Sequence, residues 1–350
     1  MTSRHLVVDL FSNVPHMRLP LPVADQIVAM CPTSWRVTVV QSATVSGGDG
    51  TNTVSDETLA AVQDAEAYYG FGAPAAMLDA APHMRWVHSA AAGVGASITP
   101  TLRARAAADP PVVFTNSAGL YGEPMADTIL AGVLHFVRGL DVAVRQQAAA
   151  RWEQRRFADG ETEARELEDY RVLVVGAGGI GSAVARRFTA LGVTCTGVRR
   201  RPELGVPPGF AAVVGPDDLD AALAAADILV IAAPATSSTQ LLLDARRVAL
   251  LPAGAIVVNV ARGGLVEDEP LRAALDAGRL RGAVLDVFHT EPLPAESPWW
   301  QHPRVLITPH VSGVSPRRYW ARALALFEDN WQRWIAGDPL RNVVDLDAGY

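Results

Sequence analysis

The sequence predicts an α/β protein made of two doubly wound parallel-sheet domains, and three observations predict it. Residues 1–115 alternate short apolar runs with helix-like runs, a glycine-rich strand–turn–helix–strand unit stands at 171–198, and the alternation resumes as far as 308. Short strands that alternate with helices read as parallel strands joined by crossover helices.

Strand-like runs fall first at 6–10, 36–40, 67–71, 85–88 and 112–115, with helix-like runs at 23–30, 56–64, 73–80 and 99–108 between them. The stretch 47–52 carries three glycines among polar residues and reads as a surface loop. One long helix is expected over 124–150. Further strands are expected at 172–175, 193–198, 228–232, 255–260, 282–287 and 305–308, with a helix at 182–191. A final helical run at 316–335, rich in Trp and Ala, is placed to pack back on the first domain. The expected organisation is one domain of residues 1–118 plus 314–350, flavodoxin-like, with a second domain of residues 119–313 inserted in it.

Composition narrows the partners. The 350 residues are 49% hydrophobic and 19% charged, which suits a globular chain with a sizeable core. A net charge of −7 disfavours nucleic acid or an anionic membrane as the main partner. Two cysteines, Cys31 and Cys195, stand too far apart for a motif, and Cys195 lies in a buried strand pattern. No cluster of His, Cys, Asp and Glu has metal-ligand spacing. The first residues lack the apolar core of a signal peptide, and no apolar run reaches the roughly 18 residues of a membrane helix. A soluble, cytoplasmic protein is the expectation.

Gly176, Gly178 and Gly181 form a G-x-G-x-x-G between an apolar strand and a helix. Gly176 permits the tight turn, Gly178 lets backbone approach a pyrophosphate, and Gly181 lets helix and strand pack closely. The N–H groups at the helix start then face an anion. This is the signature of a Rossmann dinucleotide site. At the end of the next strand, 23 residues past Gly176, stands Arg199, with Arg200 and Arg201 directly after it. A site for NAD usually places a carboxylate there to hold the ribose 2′-OH, whereas guanidinium groups pair with a 2′-phosphate. NADP(H) is therefore favoured, although NAD(H) could also enter.

Three segments end strands in the second half and carry reactive groups: Arg262 in VNVARGG, Asp286 and Glu291 in LDVFHTEP, and His310 in ITPHVSG. In doubly wound sheets ligands bind at the carboxyl ends of strands, so these can converge on one crevice. The set suits carbonyl reduction. An Arg fork binds a carboxylate, a His donates a proton as hydride arrives at carbon, and a neighbouring Glu orients the ring and favours imidazolium. His289 lies near Glu291, but alternate residues of an extended turn point apart, so no role is assigned to it.

On these motifs the sequence resembles the D-2-hydroxyacid dehydrogenase family, which includes glyoxylate/hydroxypyruvate reductases. The resemblance is strong over about 112–315 and weaker before, where WVHSAAAGV is the matching segment. It implies Arg262 as substrate anchor, His310 as acid/base paired with Glu291, and Asp286 as a hydrogen-bond partner of the nicotinamide carboxamide. It also implies that Val260 and Ala261 line the nicotinamide, that Gly179 and Ile180 contact the pyrophosphate, and that the Ala92 and Gly93 amides hold the substrate carboxylate. The implied reaction is NAD(P)H-dependent reduction of a small 2-oxo acid to the D-2-hydroxy acid, by a homodimer.

Some positions depart from the family pattern. Arg199 replaces the common acidic residue, Gly95 stands where many members carry Asp, and Asp127 replaces a usual Glu. Trp299 and Trp300 fall in a loop that resembles one closing over the family's active site, and Trp152 falls where the family builds its dimer contact. A formate- or phosphite-type dehydrogenase, and a non-catalytic dinucleotide sensor, are the alternatives on the same fold.

Overall fold

The computed structural model describes residues 4–45, 53–160, 162 and 164–349; the glycine-rich stretch 47–52 lies outside the described residues. In chain order the strands and helices are β1 Arg4–Val8, α1 Leu21–Met30, β2 Trp35–Val39, α2 Asp56–Ala61, β3 Ala67–Gly70, α3 Ala75–Ala80, β4 Trp86–Ser89, α4 Pro100–Ala106 and β5 Val113–Thr115. Next come α5 Gly122–Val137, α6 Leu140–Ala148, α7 Arg155–Ala158, β6 Arg171–Val175, α8 Gly179–Ala190, β7 Thr194–Val198, β8 Ala212–Val214, α9 Leu219–Ala224 and β9 Ile228–Ile231. The chain ends with α10 Ala245–Leu250, β10 Ile256–Asn259, α11 Asp268–Asp276, β11 Gly282–Leu285, β12 Val305–Ile307 and α12 Tyr319–Ala336. Two compact units result: residues up to Leu120 together with Val314 onward, and Tyr121–Gly313.

The first unit holds a five-stranded parallel sheet ordered β2-β1-β3-β4-β5. Its strands β3 and β4 are buried along their whole length, as expected when helices cover both faces. The C-terminal helix α12 belongs to this unit. Phe327 stacks on Tyr69 with ring centroids 4.2 Å apart, and Trp331 meets Trp35 edge-on at 4.7 Å. Beyond α12 the Val344 amide donates to the Phe114 carbonyl at 2.9 Å and ties the tail to β5.

The second unit holds a seven-stranded parallel sheet ordered β12-β11-β10-β9-β6-β7-β8. Alternate strand residues serve two separate cores, because successive side chains point to opposite faces. Val172, Val174, Val230, Val258 and Val284 pack with α5 and α8 residues, whereas Leu173, Val175, Leu229, Val257 and Leu285 pack with residues of α9, α10 and α11. Phe188 of α8 is fully buried in the first of these cores, so truncation to Ala would cost about 3–5 kcal/mol.

Two expectations are corrected. The helix expected at 124–150 is two helices, α5 and α6, broken at Gly139 with φ 64°. Only a residue without Cβ adopts that left-handed conformation cheaply. Beyond the break, Asp141 is held by Arg281 at 2.7 Å in a buried ion pair, and Arg281 also donates to the Phe136 carbonyl. The short edge strand β8 is an addition. Among the described residues no helix is long and apolar enough to cross a membrane.

Candidate active site

The groups singled out in the second unit stand at the carboxyl ends of five parallel strands, and therefore on one edge of one sheet. The β6 end carries the glycine turn. Gly176 sits at φ 107°, and a Cβ there would lie 2.6 Å from the Ala232 carbonyl carbon. A Cβ on Gly181 would collide with the Gly176 carbonyl oxygen, so the helix start packs on the turn itself. Gly178 differs: it caps α8, and a Cβ built on it would meet nothing within 4 Å. Gly179, Ile180 and Gly181 form the first turn of α8, whose leading amides have no carbonyl ahead of them in the helix. An open face at Gly178 before such a turn fits the diphosphate of a dinucleotide.

At the β7 end the Arg199 amide donates to the Val214 carbonyl at 3.1 Å, and its Nη1 donates to the Gly205 carbonyl at 3.3 Å. Its side chain thus leans along the 200–205 loop, half-buried, with Arg200 and Arg201 exposed beside it. No carboxylate takes the position after β7, which fits a 2′-phosphate better than a ribose hydroxyl.

The β10 end builds the Arg262 turn. Asn259, 1% exposed, donates from Nδ2 to the Arg262 carbonyl at 3.0 Å and accepts the Ala261 amide at 3.1 Å. Val260 and Ala261 are buried beside it, and Arg262 Nη1 donates to the Ala261 carbonyl at 2.7 Å. The next residue, Gly263, packs so closely on the Phe288–His289 backbone that any Cβ would collide with it. His289 Nε2, 2.8 Å from the Val266 carbonyl, donates across the same seam. Its position is structural. It joins the turn after β10 to the turn after β11.

The β11 and β12 ends bring Glu291 and His310 together. His310 Nδ1 lies 2.7 Å from Glu291 Oε2, and Glu291 Oε1 accepts the Phe288 amide at 2.9 Å. Both carboxylate oxygens are therefore engaged, and the ring is fixed with its Nδ1 toward the carboxylate. A neutral ring that donates from Nδ1 leaves the Nε2 lone pair outward; protonated, Nε2 becomes a donor. His310 itself has φ 54°. For a non-glycine residue that conformation costs about 1–2 kcal/mol, and such strain clusters at functional sites.

Asp286, 1% exposed, sits between these groups. Its Oδ1 accepts from Thr308 Oγ1 at 2.6 Å and from the Val311 amide at 2.9 Å, while Oδ2 accepts from the Ser312 amide at 3.1 Å and from Ser312 Oγ. The Asp286 carbonyl takes the His310 amide at 2.9 Å. Sequence reasoning missed this hub and Asn259. The signals were present as small hydroxyl residues flanking Pro309–His310 and as an Asn two residues before the Ala of the arginine turn.

Other predicted positions fall outside this edge or serve packing. Trp299 is buried in the core behind α11, and Trp300 donates to the Pro294 carbonyl at 2.8 Å. Asp127 pairs with Arg187 at 2.7 Å and is structural. Cys195 is buried, and burial pushes its thiol up to about 11. Ala92 and Gly93 belong to the first unit, in the loop after β4, where Asn116 Nδ2 donates to the Ala92 carbonyl at 2.9 Å. Among the described residues no group of three or more His, Cys, Asp or Glu is placed to hold a metal ion.

The sequence profile of the D-isomer specific 2-hydroxyacid dehydrogenase NAD binding domain matches residues 130–312. The chain belongs to this family. As a D-isomer specific 2-hydroxyacid dehydrogenase it is an NAD(P)-dependent oxidoreductase. A family member from Xanthobacter autotrophicus Py2, solved with NADPH and MES, is 29% identical with a TM-score of 0.78, the alignment covering 100% of both chains. A second, from Aeromonas salmonicida subsp. salmonicida A449, is 27% identical with a TM-score of 0.74 and coverage of 99% and 100%. The NADPH-dependent glyoxylate/hydroxypyruvate reductase of Sinorhizobium meliloti, solved with NADP and sulfate, shares the fold at 24% identity, with a TM-score of 0.76 and coverage of 99% and 100%.

Proposed function

We propose that this dehydrogenase uses NADPH to reduce a small 2-oxo acid, of the glyoxylate or hydroxypyruvate kind, to the D-2-hydroxy acid. The observation that carries the reading is the His310–Glu291 pair at 2.7 Å, set on the same sheet edge as the glycine turn. The bound cofactor supplies hydride to C2 of the oxo acid. His310 donates the Nε2 proton to the carbonyl oxygen as that oxygen gains charge, and Glu291 holds the ring by its Nδ1. Arg262 pairs with the substrate carboxylate and polarises the adjacent carbonyl. The Ala92 and Gly93 amides are the first unit's candidates for binding a substrate carboxylate.

Gly176, Gly178, Gly179, Ile180 and Gly181 take the pyrophosphate, Arg199 and Arg200 the 2′-phosphate, and Val260 with Ala261 the nicotinamide. NADPH in the 29%-identical relative supports the cofactor choice. The unit from Tyr121 to Gly313 is then the dinucleotide-binding domain, and the other unit the substrate domain. A homodimer is the expected assembly. Leu140 and Val144, one turn apart on α6, are half-exposed, and Trp152 is 88% exposed, an apolar surface that a second copy would cover.

The test is NADPH consumption with glyoxylate, hydroxypyruvate, pyruvate and phenylpyruvate, repeated with NADH. Faster turnover with NADPH on one or more oxo acids is expected. Turnover of formate or phosphite alone, or tight NADPH binding without turnover, would overturn the reading.

A further inference from the structure

The loop after β4 has its carbonyls tied down by the residues that follow β5. Ser117 Oγ donates to the Ser89 carbonyl at 2.8 Å, the Ser117 amide to the Ala91 carbonyl at 3.1 Å, and Asn116 Nδ2 to the Ala92 carbonyl at 2.9 Å. These loop peptides are trans, so the C=O of one residue and the N–H of the next point in opposite directions. The tethers on the Ala91 and Ala92 carbonyls therefore aim the Ala92 and Gly93 amides away from residues 116 and 117. Among the described residues neither amide donates to a backbone carbonyl.

Asn116 is 4% exposed and is itself held by a distant part of the chain. Its Oδ1 accepts the Ala118 amide at 3.1 Å, which keeps Nδ2 turned to the Ala92 carbonyl. Its own amide donates to the Asn342 carbonyl at 3.1 Å. Asn342 Nδ2 donates in return to the Asn116 carbonyl at 3.2 Å and to the Ala118 carbonyl at 2.9 Å. Asn342 has φ 54°, a left-handed conformation that Asn visits more readily than most residues. The tail is pinned on both sides of it. Fully buried Asn330 of α12 accepts the Arg341 amide at 2.7 Å and donates to its carbonyl at 3.1 Å, and Val343 pairs antiparallel with Thr115.

We propose that Asn116 and Asn342 are positioning residues for the substrate: the C-terminal tail holds the end of β5, and the end of β5 aims the Ala92 and Gly93 amides at the carboxylate of the oxo acid. The proposal rests on the reading that those two amides take that carboxylate. Neither asparagine needs to touch the substrate. Both belong to the first unit, whereas the groups assigned to NADPH belong to the second.

Two variants of the full chain test it. Asn342→Gly leaves φ 54° accessible and the backbone hydrogen bonds of the tail in place, and removes only the Nδ2 donors. Asn116→Asp keeps the shape but sets a carboxylate oxygen against the Ala92 carbonyl where a donor stood. With the oxo acid that is reduced fastest, KM should rise about fivefold or more in Asn342→Gly and about 10- to 100-fold in Asn116→Asp, the range set by hydrogen bonds to a charged group. The kcat and the Kd for NADPH should stay within about threefold, since an interaction made equally in ground and transition states shows in KM alone. Unchanged KM in either variant, whatever its Tm, would overturn the proposal and leave the asparagines a structural role. Should Asn116→Asp not fold, Asn342→Gly, at a half-exposed position of the tail, decides alone.

A second readout separates the proposal from the reading beneath it. The hydroxy-acid product does not react with NADPH, so it forms a stable complex with the NADPH-bound enzyme. At product concentrations that inhibit turnover, the 15N amide signal of Gly93, identified by its loss in Gly93→Ala, should shift in the wild type and shift less in both variants. No shift in the wild type would sink the reading of the loop as a carboxylate site. An equal shift in wild type and variants would sink only the role of Asn116 and Asn342.

Discussion

His310 Nδ1 lies 2.7 Å from Glu291 Oε2, and the second oxygen of that carboxylate is pinned by the Phe288 amide at 2.9 Å. The glutamate cannot rotate away without giving up a backbone hydrogen bond, so the imidazole is held by a partner that is itself held. Such a second layer of support is what keeps a catalytic rotamer within tolerance.

The first prediction concerns that pair. His310→Ala should lower turnover by about 10²–10⁴-fold, the usual worth of a general acid, while NADPH affinity stays near wild type. Glu291→Gln replaces a charge-assisted hydrogen bond to the ring by a neutral one, so oxo-acid reduction should fall by about tenfold or more. Steady-state rates check both. A histidine variant that loses NADPH binding would mean that the ring belongs to the cofactor site.

The second concerns cofactor choice. Arg199→Asp places a carboxylate at the end of β7, where it would repel a 2′-phosphate and accept from a ribose hydroxyl. Hydrogen bonds to charged groups are worth about 1.5–3 kcal/mol, so the NADPH to NADH ratio of kcat/KM should fall by about 10- to 100-fold. An unchanged ratio would remove the arginine from cofactor selection.

The third concerns the glycine turn. A Cβ at Gly181 would collide with the Gly176 carbonyl oxygen, which is backbone and cannot swing aside. Gly181→Ala should therefore weaken NADPH binding at least tenfold and lower Tm, whereas Gly178→Ala, whose Cβ meets nothing within 4 Å in the free protein, should leave Tm near wild type and still weaken NADPH binding. Calorimetry with and without NADPH separates the two effects.

The fourth concerns acid stability. His88 is fully buried in the first unit, its Nδ1 2.8 Å from Thr115 Oγ1, and burial pushes it from the usual 6.5 down to about 3. The unfolded chain protonates this ring near pH 6.5 while the folded chain keeps it neutral, so acid favours unfolding. Stability from this group is fully present above about pH 6.5 and is lost as pH falls toward 3, by up to about 1.4 kcal/mol per pH unit. His88→Asn should be less stable at pH 8 but lose less on acidification. Parallel unfolding curves at pH 8, 6 and 5 would show no such contribution.

Much of the second unit was legible in sequence, because parallel strands put their carboxyl ends on one edge whatever lies between them. His310 and Glu291, 19 residues apart, could be paired in advance on that ground. Gly139 was harder to read. Helix-forming residues run through on both sides, and only φ 64° shows that the chain turns there. The Asp286 hub was also hidden, since its donors stand 22–26 residues away and Thr and Ser flank loops of many kinds. Strand β8 escaped because it is three residues long, half-exposed and at the sheet edge.

The contact of Gly263 with the Phe288–His289 backbone has a consequence for evolution of the substrate range. The turn that carries Arg262 and the turn that carries Glu291 meet main chain to main chain, with no side chain between them to trim or enlarge. If Arg262 takes the carboxylate and His310 serves the carbonyl, as proposed, the one carbon–carbon bond between those groups is the spacing that this seam gauges. Descendants of this chain would then accept new groups on the far side of the carbonyl carbon by changing side chains elsewhere. The two-carbon head would be the part that drift cannot renegotiate.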